Sequence, residues 1–391
     1  MAEATAGVLR PLPAAAEALA DEVRRAAASL TRIHLRGAGG WWPPPEAPAD
    51  GTVLSLAHVT HVTGLQPADL VVTAGAGVML DRLAATLEGR GVWLALDPPG
   101  SPSRSVGGAL ATAAPGPLAA RYGAPRDQVL GLAVVTGEGT AVRMGGRVVK
   151  NVAGFDLAKA VIGGFGAYGA IVEAHLRLRA LPAADRSLGW SGALRDVSAA
   201  AARALAAGAA PAALEVLSPS LADSLLGADG WVLLARELGS RTAVDEELLV
   251  AEQAAGRGLR RHAAEGAAPW RWWQEAAGRW PVSLRLGADP AAWTDAVALV
   301  AEHCGTAAGV SVTVPRGTVR AGFDALAPGA VRALRDAAAR RGWPVVLERA
   351  DPALRDAVGV WGALTPGARR LADALRRAFD PAGAFAAPLF G

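Results

Sequence analysis

The chain has 391 residues, of which 52% are hydrophobic and 19% charged, and its formal net charge is +3. This composition excludes a disordered chain and suffices for two or three domains with sizeable cores. The basic residues are almost all arginines, and they are scattered among acidic residues rather than grouped. We therefore expect a mixed, solvated surface and no nucleic-acid partner.

Cysteine occurs once, at Cys304, so no disulfide framework, cysteine-held iron–sulfur cluster or cysteine-based zinc site can form within the chain. A single cysteine is typical of a reducing compartment, and we expect a cytoplasmic protein. The N-terminal residues do not show a signal-peptide pattern, and no run of eighteen apolar residues predicts a transmembrane helix.

Strands, helices and glycine loops alternate through the first 182 residues. The predicted helices span residues 14–30, 78–88 and 155–162, and the predicted strands span residues 32–35, 53–56, 70–73, 92–96, 129–136, 142–144 and 170–179. Residues 137–139 read Gly-Glu-Gly and predict a hairpin turn. Glycine loops at four separated places favour a ligand that lies across a whole domain over a single phosphate loop.

The densest glycine stretch spans residues 145–173 and contains seven glycines. Glycine allows another group to approach the backbone closely, so this density predicts main chain held against a large ligand. Residues 164–169 spell G-x-G-x-x-G, the dinucleotide fingerprint, which requires a strand before it and a helix after it. Here a predicted helix precedes and a strand follows, so the fingerprint interpretation is disfavoured.

A second Rossmann-like pattern lies earlier and stays open as an alternative. A strand over residues 70–73 is followed by Gly75-Ala76-Gly77, a helix, a strand and Asp97. The position where close packing of helix on strand requires glycine or alanine is Leu80. Pro98 turns the chain directly after the acidic residue, which also departs from that pattern.

The turn at residues 36–40, Arg-Gly-Ala-Gly-Gly, follows the first predicted strand. Successive backbone N–H groups in such a turn can hold an anion, and an ordinary tight turn is the alternative. Residues 105–108, Ser-Val-Gly-Gly, also allow close approach of a ligand to the backbone.

The pattern of predicted helices and strands changes after Leu181-Pro182. We predict a helical segment over residues 183–210 and then alternating strands and helices, which is typical of an α+β layer with helices on one face. Four tryptophans, Trp270, Trp272, Trp273 and Trp280, predict domain core or a subunit interface, with a wall over the ligand as the alternative. Arg285 and Arg349 end predicted strands, where each faces either a carboxylate substrate or a salt-bridge partner.

The sequence resembles the FAD-binding accessory subunit of glycolate oxidases and, more broadly, the flavoproteins of the PCMH and vanillyl-alcohol-oxidase type. The segments that carry this resemblance are SVGGALATAAPG at residues 105–116, RYGAPRDQVLG at 121–131, residues 145–173 with KNVAGFDLAK, and AFDPAGAF at 378–385. The resemblance covers residues 30–182 well and the remainder in outline.

The resemblance implies that FAD is the cofactor and assigns residues to it one by one. The implied cofactor-binding residues are Arg36, Gly37, Ala38, Gly39, Gly40, Ser105, Val106, Gly107, Gly108, Arg126, Asp127, Asn151, Gly154, Gly169, Ile171 and Val172. Ala38 stands where the family has glycine, and Ala167 and Tyr168 stand where it has threonine and leucine. The family's C-terminal F-N-P-G-R motif is not kept after Phe385.

The implied fold is α+β. A PCMH-type FAD-binding domain of two sublobes spans residues 1–182, and a ferredoxin-like cap, for substrate or subunit contact, spans residues 183–391 with a C-terminal helix. The implied function is that of the FAD-binding subunit of a 2-hydroxy-acid (glycolate) oxidase or dehydrogenase complex. Its partners would be a catalytic flavin subunit and an iron–sulfur subunit, which could hold it at the inner face of the membrane.

Two alternatives stay open: a stand-alone FAD-dependent oxidoreductase acting on a small alcohol or 2-hydroxy acid, and a non-catalytic scaffold subunit. No catalytic residue can be assigned. Among the six histidines, His58 and His61 are three apart without a carboxylate in pattern, so we expect no metal site. His175 lies in an alternating strand and is predicted to be a surface or edge residue.

Overall fold

The computed structural model describes residues 14–41, 51–146, 157–256 and 258–386. The helices are α1 Ala14–Ala28, α2 Leu80–Leu87, α3 Val106–Thr112, α4 Ala119–Tyr122, α5 Leu157–Val161, α6 Leu194–Ala206, α7 Pro219–Leu226, α8 Arg241–Ala255, α9 Ala268–Arg279, α10 Trp293–Cys304, α11 Pro328–Ala339, α12 Pro352–Val358 and α13 Pro366–Phe379. The strands are β1 Arg32–Arg36, β2 Gly51–Ser55, β3 Val62–Gln66, β4 Val71–Gly75, β5 Val92–Trp93, β6 Val129–Val135, β7 Ala141–Gly145, β8 Ala170–Arg177, β9 Arg179–Ala180, β10 Ala184–Gly192, β11 Ala213–Leu217, β12 Trp231–Gly239, β13 Arg260–Glu265, β14 Val282–Gly287, β15 Gly309–Thr313, β16 Thr318–Phe323 and β17 Val345–Arg349.

The first half of the described chain forms two lobes. In the smaller lobe, β1 and β2 pair in parallel, and α1 buries Leu19 and Val23, four residues apart on one helix face, in the same core as Ile33. The larger lobe is a five-stranded antiparallel sheet of order β3-β4-β8-β6-β7. The predicted hairpin at residues 137–139 is confirmed, since β6 and β7 are antiparallel neighbours on either side of it.

Neither Rossmann-like pattern forms the required unit. The G-x-G-x-x-G at residues 164–169 lies between α5 and β8, which confirms the helix-before-strand order that disfavoured it. The earlier pattern is wrong as a dinucleotide unit, because β4 pairs antiparallel with β3 and β8 while β5 pairs with β9. A parallel strand–helix–strand crossover is therefore missing at both described places.

The second half forms one eight-stranded antiparallel sheet of order β13-β10-β12-β11-β15-β16-β14-β17. In chain order, the first four of these strands and the last four each build a βαββαβ unit in which the first and third strands are central, the ferredoxin-like arrangement. The two units join edge to edge where β11 pairs antiparallel with β15. Helices α6, α8, α10 and α11 share one hydrophobic core with the sheet.

The helical prediction for residues 183–210 is wrong at its start, where β10 is a nine-residue strand. Leu188 and Trp190 point into the main core, while Ser187 accepts a hydrogen bond from Trp270 on the other face (2.8 Å). This two-residue alternation and pairing with both β12 and β13 outweigh the helix propensity of the alanines, so α6 begins only at Leu194.

The prediction for His175 is also wrong. His175 lies in β8, which has β4 and β6 on its two sides, and it is buried. Its Nδ1 lies 2.9 Å from the hydroxyl oxygen of Thr73. A polar residue in a central strand is tolerated here because a hydrogen-bonding partner is buried beside it.

Helix α9 packs on the opposite face of the large sheet, and its tryptophans form a second core. Trp270, Trp273 and Trp280 are buried together with residues of β11 and β12. The core interpretation of the tryptophan-rich segment is thus confirmed. Trp280 lies flat on the backbone of Gly322, where any Cβ atom would collide with its ring.

Arginines of the large sheet bond across the seam between the two halves. Arg320 donates to the carbonyl of Pro115 (2.9 Å), and Arg316 donates to that of Ala119 (3.2 Å). Arg320 also forms an ion pair with Glu348 (2.7 Å), whose other oxygen lies 2.6 Å from Nε of Arg285. Burial alone would raise the pKa of the Glu348 carboxyl, but the two guanidinium groups hold it below its ordinary value.

The C-terminal residues return to the smaller lobe. Ile33 in β1 donates its backbone N–H to the carbonyl of Ala384 (2.7 Å), and Ala386 donates to that of Ile33 (2.9 Å). Phe385 is buried in the core of that lobe. Among the residues that the structure describes, no helix combines the length and apolarity that crossing a bilayer requires.

Replacing Glu348 by alanine should strip the charge partner from Arg285 and Arg320 together. We expect the free energy of unfolding to fall by about 3–5 kcal/mol, because breaking a buried ion pair leaves uncompensated charge. Urea denaturation at neutral pH measures the loss. Asp373→Ala, which removes the exposed partner of Arg369 in α13, is the control and should cost no more than about 0.5 kcal/mol. Equal losses in the two variants would contradict this assignment.

The pH dependence of stability should carry a contribution from Glu215 in β11. This side chain is fully buried, and desolvation raises its pKa from 4.5 to about 8. Between these pH values the unfolded chain ionises Glu215 while the folded chain keeps it protonated. Stability should therefore fall as pH rises, by about 1.4 kcal/mol per pH unit for this one group.

Denaturation of Glu215→Gln between pH 5 and pH 8 tests this expectation. The stability of the variant should fall less steeply as pH rises, and the variant should be more stable than the parent at pH 8. Glu88→Gln, at an exposed position after α2, is the control and should follow the parent curve. Parallel curves for the parent and Glu215→Gln would show that Glu215 ionises equally in both states.

Candidate cofactor site

A cavity lies between the two lobes of the first half, where three chain segments converge. Its walls come from the turn after β1, from the start of α3 with the residue before it, and from the loop that leads into β8. The lining residues are Leu35, Gly37, Ala38, Gly39, Gly40, Trp41, Leu56, Ala76, Arg104, Ser105, Gly107, Gly108, Ala111, Thr112, Phe165, Gly166, Gly169 and Ile171.

Ser105 joins two of these segments. Its hydroxyl oxygen accepts hydrogen bonds from the backbone N–H of Gly108 (3.2 Å) and of Ala38 (3.4 Å). The first contact is an N-cap that starts α3, and the second holds the turn of the smaller lobe against it. A Cβ atom at position 37 would collide with the same hydroxyl, so close approach requires glycine there.

Glycine is also required where the third segment enters the cavity. Gly166 and Gly169 have φ angles of +87° and +126°, in the region that other residues rarely adopt. A Cβ atom at Gly166 would lie 2.9 Å from Leu35, and one at Gly169 would lie 2.5 Å from Val134. The glycine density that the sequence places here therefore serves both backbone conformation and packing of the two lobes.

Two large side chains complete the wall. Trp41 is buried, and its indole Nε1 has no hydrogen-bond partner among the described residues. The guanidinium carbon of Arg104 lies 4.8 Å from the centre of the Trp41 ring. Burial lowers the pKa of Arg104 to about 9, so it still carries its charge at neutral pH.

The structure brings together many of the residues predicted to bind the cofactor. Those that line the cavity are Gly37, Ala38, Gly39, Gly40, Ser105, Gly107, Gly108, Gly169 and Ile171. Their contact with a cofactor stays a prediction, as does that of the others. Asn151 and Gly154 lie outside the described residues.

Five predicted residues do not line this cavity. Arg36 ends β1, and its carbonyl accepts the N–H of Leu56 (2.8 Å). Val106 and Val172 are buried in the cores on the two sides of the cavity. Arg126 and Asp127 lie in a 3₁₀ turn, where the Asp127 carboxylate accepts the N–H of Ala124 (2.9 Å).

Sequence reasoning missed Trp41, Arg104, Thr112 and Phe165 as cavity residues. Trp41 follows the glycine turn directly and Arg104 precedes Ser105 directly, so adjacency to the predicted loops was the available signal. Thr112 lies at the far end of α3, and only helix geometry places its hydroxyl near Arg104 (2.6 Å).

The cavity fits a ligand that is large, flat in part and rich in acceptors. Glycine backbone forms much of the wall, so a ring or phosphate can approach the main chain. Within the described residues the amides of Gly39 and Gly40 have no hydrogen-bond partner, and Trp41 Nε1 is a third donor in the same state. Of these three donors only Trp41 Nε1 is buried, and a buried donor normally has an acceptor. FAD offers acceptors in its pyrophosphate and its ring.

Comparison with known proteins supports this cofactor. Residues 10–145 match the family described as FAD binding domain. Glycolate oxidase subunit GlcE of Escherichia coli is 32% identical over 177 residues, which cover 44% of this chain and 49% of that protein. The mitochondrial D-lactate dehydrogenase [cytochrome] of Arabidopsis thaliana is 38% identical over 136 residues, 35% of this chain and 24% of that protein.

The match to the curated relatives is partial, since the chain spans about half of their length or less. A solved structure of alkyldihydroxyacetonephosphate synthase superposes on 94% of this chain and 74% of its own, with a TM-score of 0.69 and 16% identity. At this identity the superposition establishes a shared fold. The chain therefore carries an FAD-binding domain, with FAD as its cofactor, and is similar to the FAD-dependent oxidoreductases of the PCMH and vanillyl-alcohol-oxidase superfamily.

Proposed function

We propose that this chain is the FAD-binding subunit of a 2-hydroxy-acid (glycolate) oxidase or dehydrogenase complex. One observation carries the proposal: three glycine segments from distant parts of the chain converge on one cavity, in a chain that is 32% identical over 177 residues to a glycolate oxidase subunit. When bound, FAD supplies the redox chemistry, and the protein positions it and sets its electrostatic surroundings.

The cavity supports a domain boundary at residue 182, with a different role on each side of it. Residues 1–182 would hold FAD between the two lobes, and residues 183–391 would cover it and contact other subunits. The seam bonds from Arg316 and Arg320 keep the large sheet against the FAD-binding half. These bonds would hold residues 183–391 over FAD during electron transfer.

The arginines of the large sheet favour a relay role over turnover by this chain alone. Oxidation of a 2-hydroxy acid requires a cation for the carboxylate and a base for the hydroxyl proton. Arg285 is already paired with Glu348, and Arg349 donates to the carbonyl of Gly278. Both sequence candidates for carboxylate binding are therefore engaged in contacts within the protein.

A relay requires partners. With Cys304 as its single cysteine, the chain would pass electrons to an iron–sulfur cluster held by another subunit, and a catalytic flavin subunit would oxidise the acid. The relative from Escherichia coli is itself named as a subunit. We place the complex in the cytoplasm, attached to the inner face of the membrane through its partners, in keeping with the single cysteine.

A stand-alone oxidoreductase that acts on a small hydroxy acid or alcohol is the second candidate. It is supported by the polar face that the large sheet turns toward the FAD-binding half, where Arg320, Ser283 and Ser311 are buried. The two candidates differ in whether the isolated chain reduces its own FAD.

Replacing Ser105 by alanine should weaken FAD binding, because the Ala38 and Gly108 amides lose the oxygen that fixes the two loops. We expect the Kd for FAD to rise about five- to ten-fold, the value of a lost hydrogen bond. Ser240→Ala is the matched control, since Ser240 caps α8 by the same contact to the N–H of Ala243 (3.3 Å). Both variants should lose about 1 kcal/mol of stability, but only Ser105→Ala should bind FAD less tightly.

Fluorescence titration of the FAD-free protein with FAD measures the Kd of each variant. Equal Kd values for Ser105→Ala and the parent chain would show that FAD does not bind in this cavity.

An absorption spectrum from 300 to 550 nm, before and after anaerobic addition of glycolate or D-lactate, distinguishes the two candidate functions. A relay subunit should show the two flavin peaks, and the acid should not bleach them until partner subunits are added. Bleaching of the isolated chain would favour the stand-alone oxidoreductase. A protein that stays colourless after FAD is added would be a scaffold, and both candidates would fail.

A further inference from the structure

Arg104 has an unusual environment for a buried arginine. Only 3% of it is exposed, and its guanidinium donates to neutral oxygens: the carbonyl of Pro99 (2.6 Å), the hydroxyl of Thr112 (2.6 Å) and the carbonyl of Gly108 (3.4 Å). Among the described residues no carboxylate lies within salt-bridge distance of it. An isolated buried charge is costly, so such a group normally has a counterion.

The charges nearby add to the excess of positive charge. Glu348 attracts Arg104 from a distance, but its carboxylate is already shared by Arg285 and Arg320. Arg320 and Arg349 repel Arg104. Glu348 therefore forms ion pairs with Arg285 and Arg320 but not with Arg104.

Trp41 adds an independent observation at the same wall. The guanidinium carbons of Arg104 and Arg349 lie 4.8 Å and 6.0 Å from the centre of its ring, and 4% of the residue is exposed. Its Nε1 donor has no partner among the described residues. Within the part of the chain that the structure describes, a buried cation without a counterion and a buried donor without an acceptor therefore lie side by side on the cavity wall.

We propose that Arg104 and Trp41 form a side-chain binding site for an anionic group of FAD, with Arg104 as the counter-cation and Trp41 Nε1 as a hydrogen-bond donor. This inference rests on the proposed function, since it takes FAD as the ligand. Arg104 and Trp41 would contact FAD through their side chains, whereas the glycine loops would contact it through their backbone. FAD has two such groups, the pyrophosphate and the ring, which gains negative charge on reduction.

Titration of the FAD-free protein with FAD and with ADP, together with the midpoint potential of the bound flavin, tests the site. Arg104→Gln should raise the Kd for FAD about ten- to a hundred-fold, the effect of losing a hydrogen bond to a charged group. Arg104→Lys keeps the charge and should retain most of the affinity. Trp41→Phe should raise the Kd about five- to ten-fold.

Arg335→Gln is the matched control. Arg335 is partly buried, burial lowers its pKa to about 10, and it donates to the backbone carbonyls of Val358, Gly359 and Val360. It lies in α11, and it does not line the cavity. Its substitution should lower stability and leave FAD affinity and midpoint potential unchanged.

The two ligands identify which group of FAD is bound. If the site holds the pyrophosphate, Arg104→Gln should weaken ADP and FAD alike. If it holds the ring, ADP binding should be unchanged, while FAD binding weakens and the midpoint potential falls. Either result supports the proposal.

The outcomes that overturn the proposal are distinct from failure of the proposed function. If the parent chain binds FAD and a folded Arg104→Gln matches it in Kd and midpoint potential, this inference is wrong and the function stands. If the parent chain does not bind FAD, the proposed function is wrong and the inference falls with it. Should Arg104→Gln fail to fold, Trp41→Phe decides, and parent-like affinity in that variant would overturn the proposal.

Discussion

The hydroxyl of Ser105 is the contact on which the cofactor site depends. It accepts the amides of Ala38 and Gly108, and so it closes the distance between the small lobe and the start of α3. A hydroxyl can serve both amides only if the loops come within about 3.5 Å, which is possible because position 37 lacks a Cβ atom. This approach joins two of the three glycine segments, and the third meets the small lobe where Gly166 packs against Leu35.

Buried charge forms the second constraint, at the seam between the halves. Glu348 satisfies Arg285 and Arg320, and Arg320 reaches the carbonyl of Pro115 in the FAD-binding half. A buried ion pair contributes little to stability compared with apolar residues of the same shape, but breaking it is expensive. The seam is therefore specific to one orientation of the large sheet. Arg104 lies near it as a buried cation that has no carboxylate within salt-bridge distance among the described residues.

Much of the fold was predictable from local patterns. The periodicity of α1, the hairpin between β6 and β7 and the helix-before-strand order around residues 164–169 all agree with the structure. The strand β10 was not predicted, because its alanine, serines and glycines do not favour a strand locally and its pairing partners follow 39 or more residues later along the chain. Edge-to-edge joining of two βαββαβ units at β11 and β15 likewise depends on partners distant in sequence.

The sequence by itself determined where glycines permit close approach of the backbone, and the turn at 37–40 does line one cavity together with Ser105, Gly107 and Gly108. Only the tertiary structure decided which side chains join them. Ala38 and Ser105 are 67 residues apart, and Arg320 and Pro115 are 205 apart. Glycine marks a local conformational requirement that a single chain position reveals. The balance of charge around Arg104, and the lack of an acceptor for Trp41 Nε1 among the described residues, instead depend on burial, which arises only when distant segments pack together.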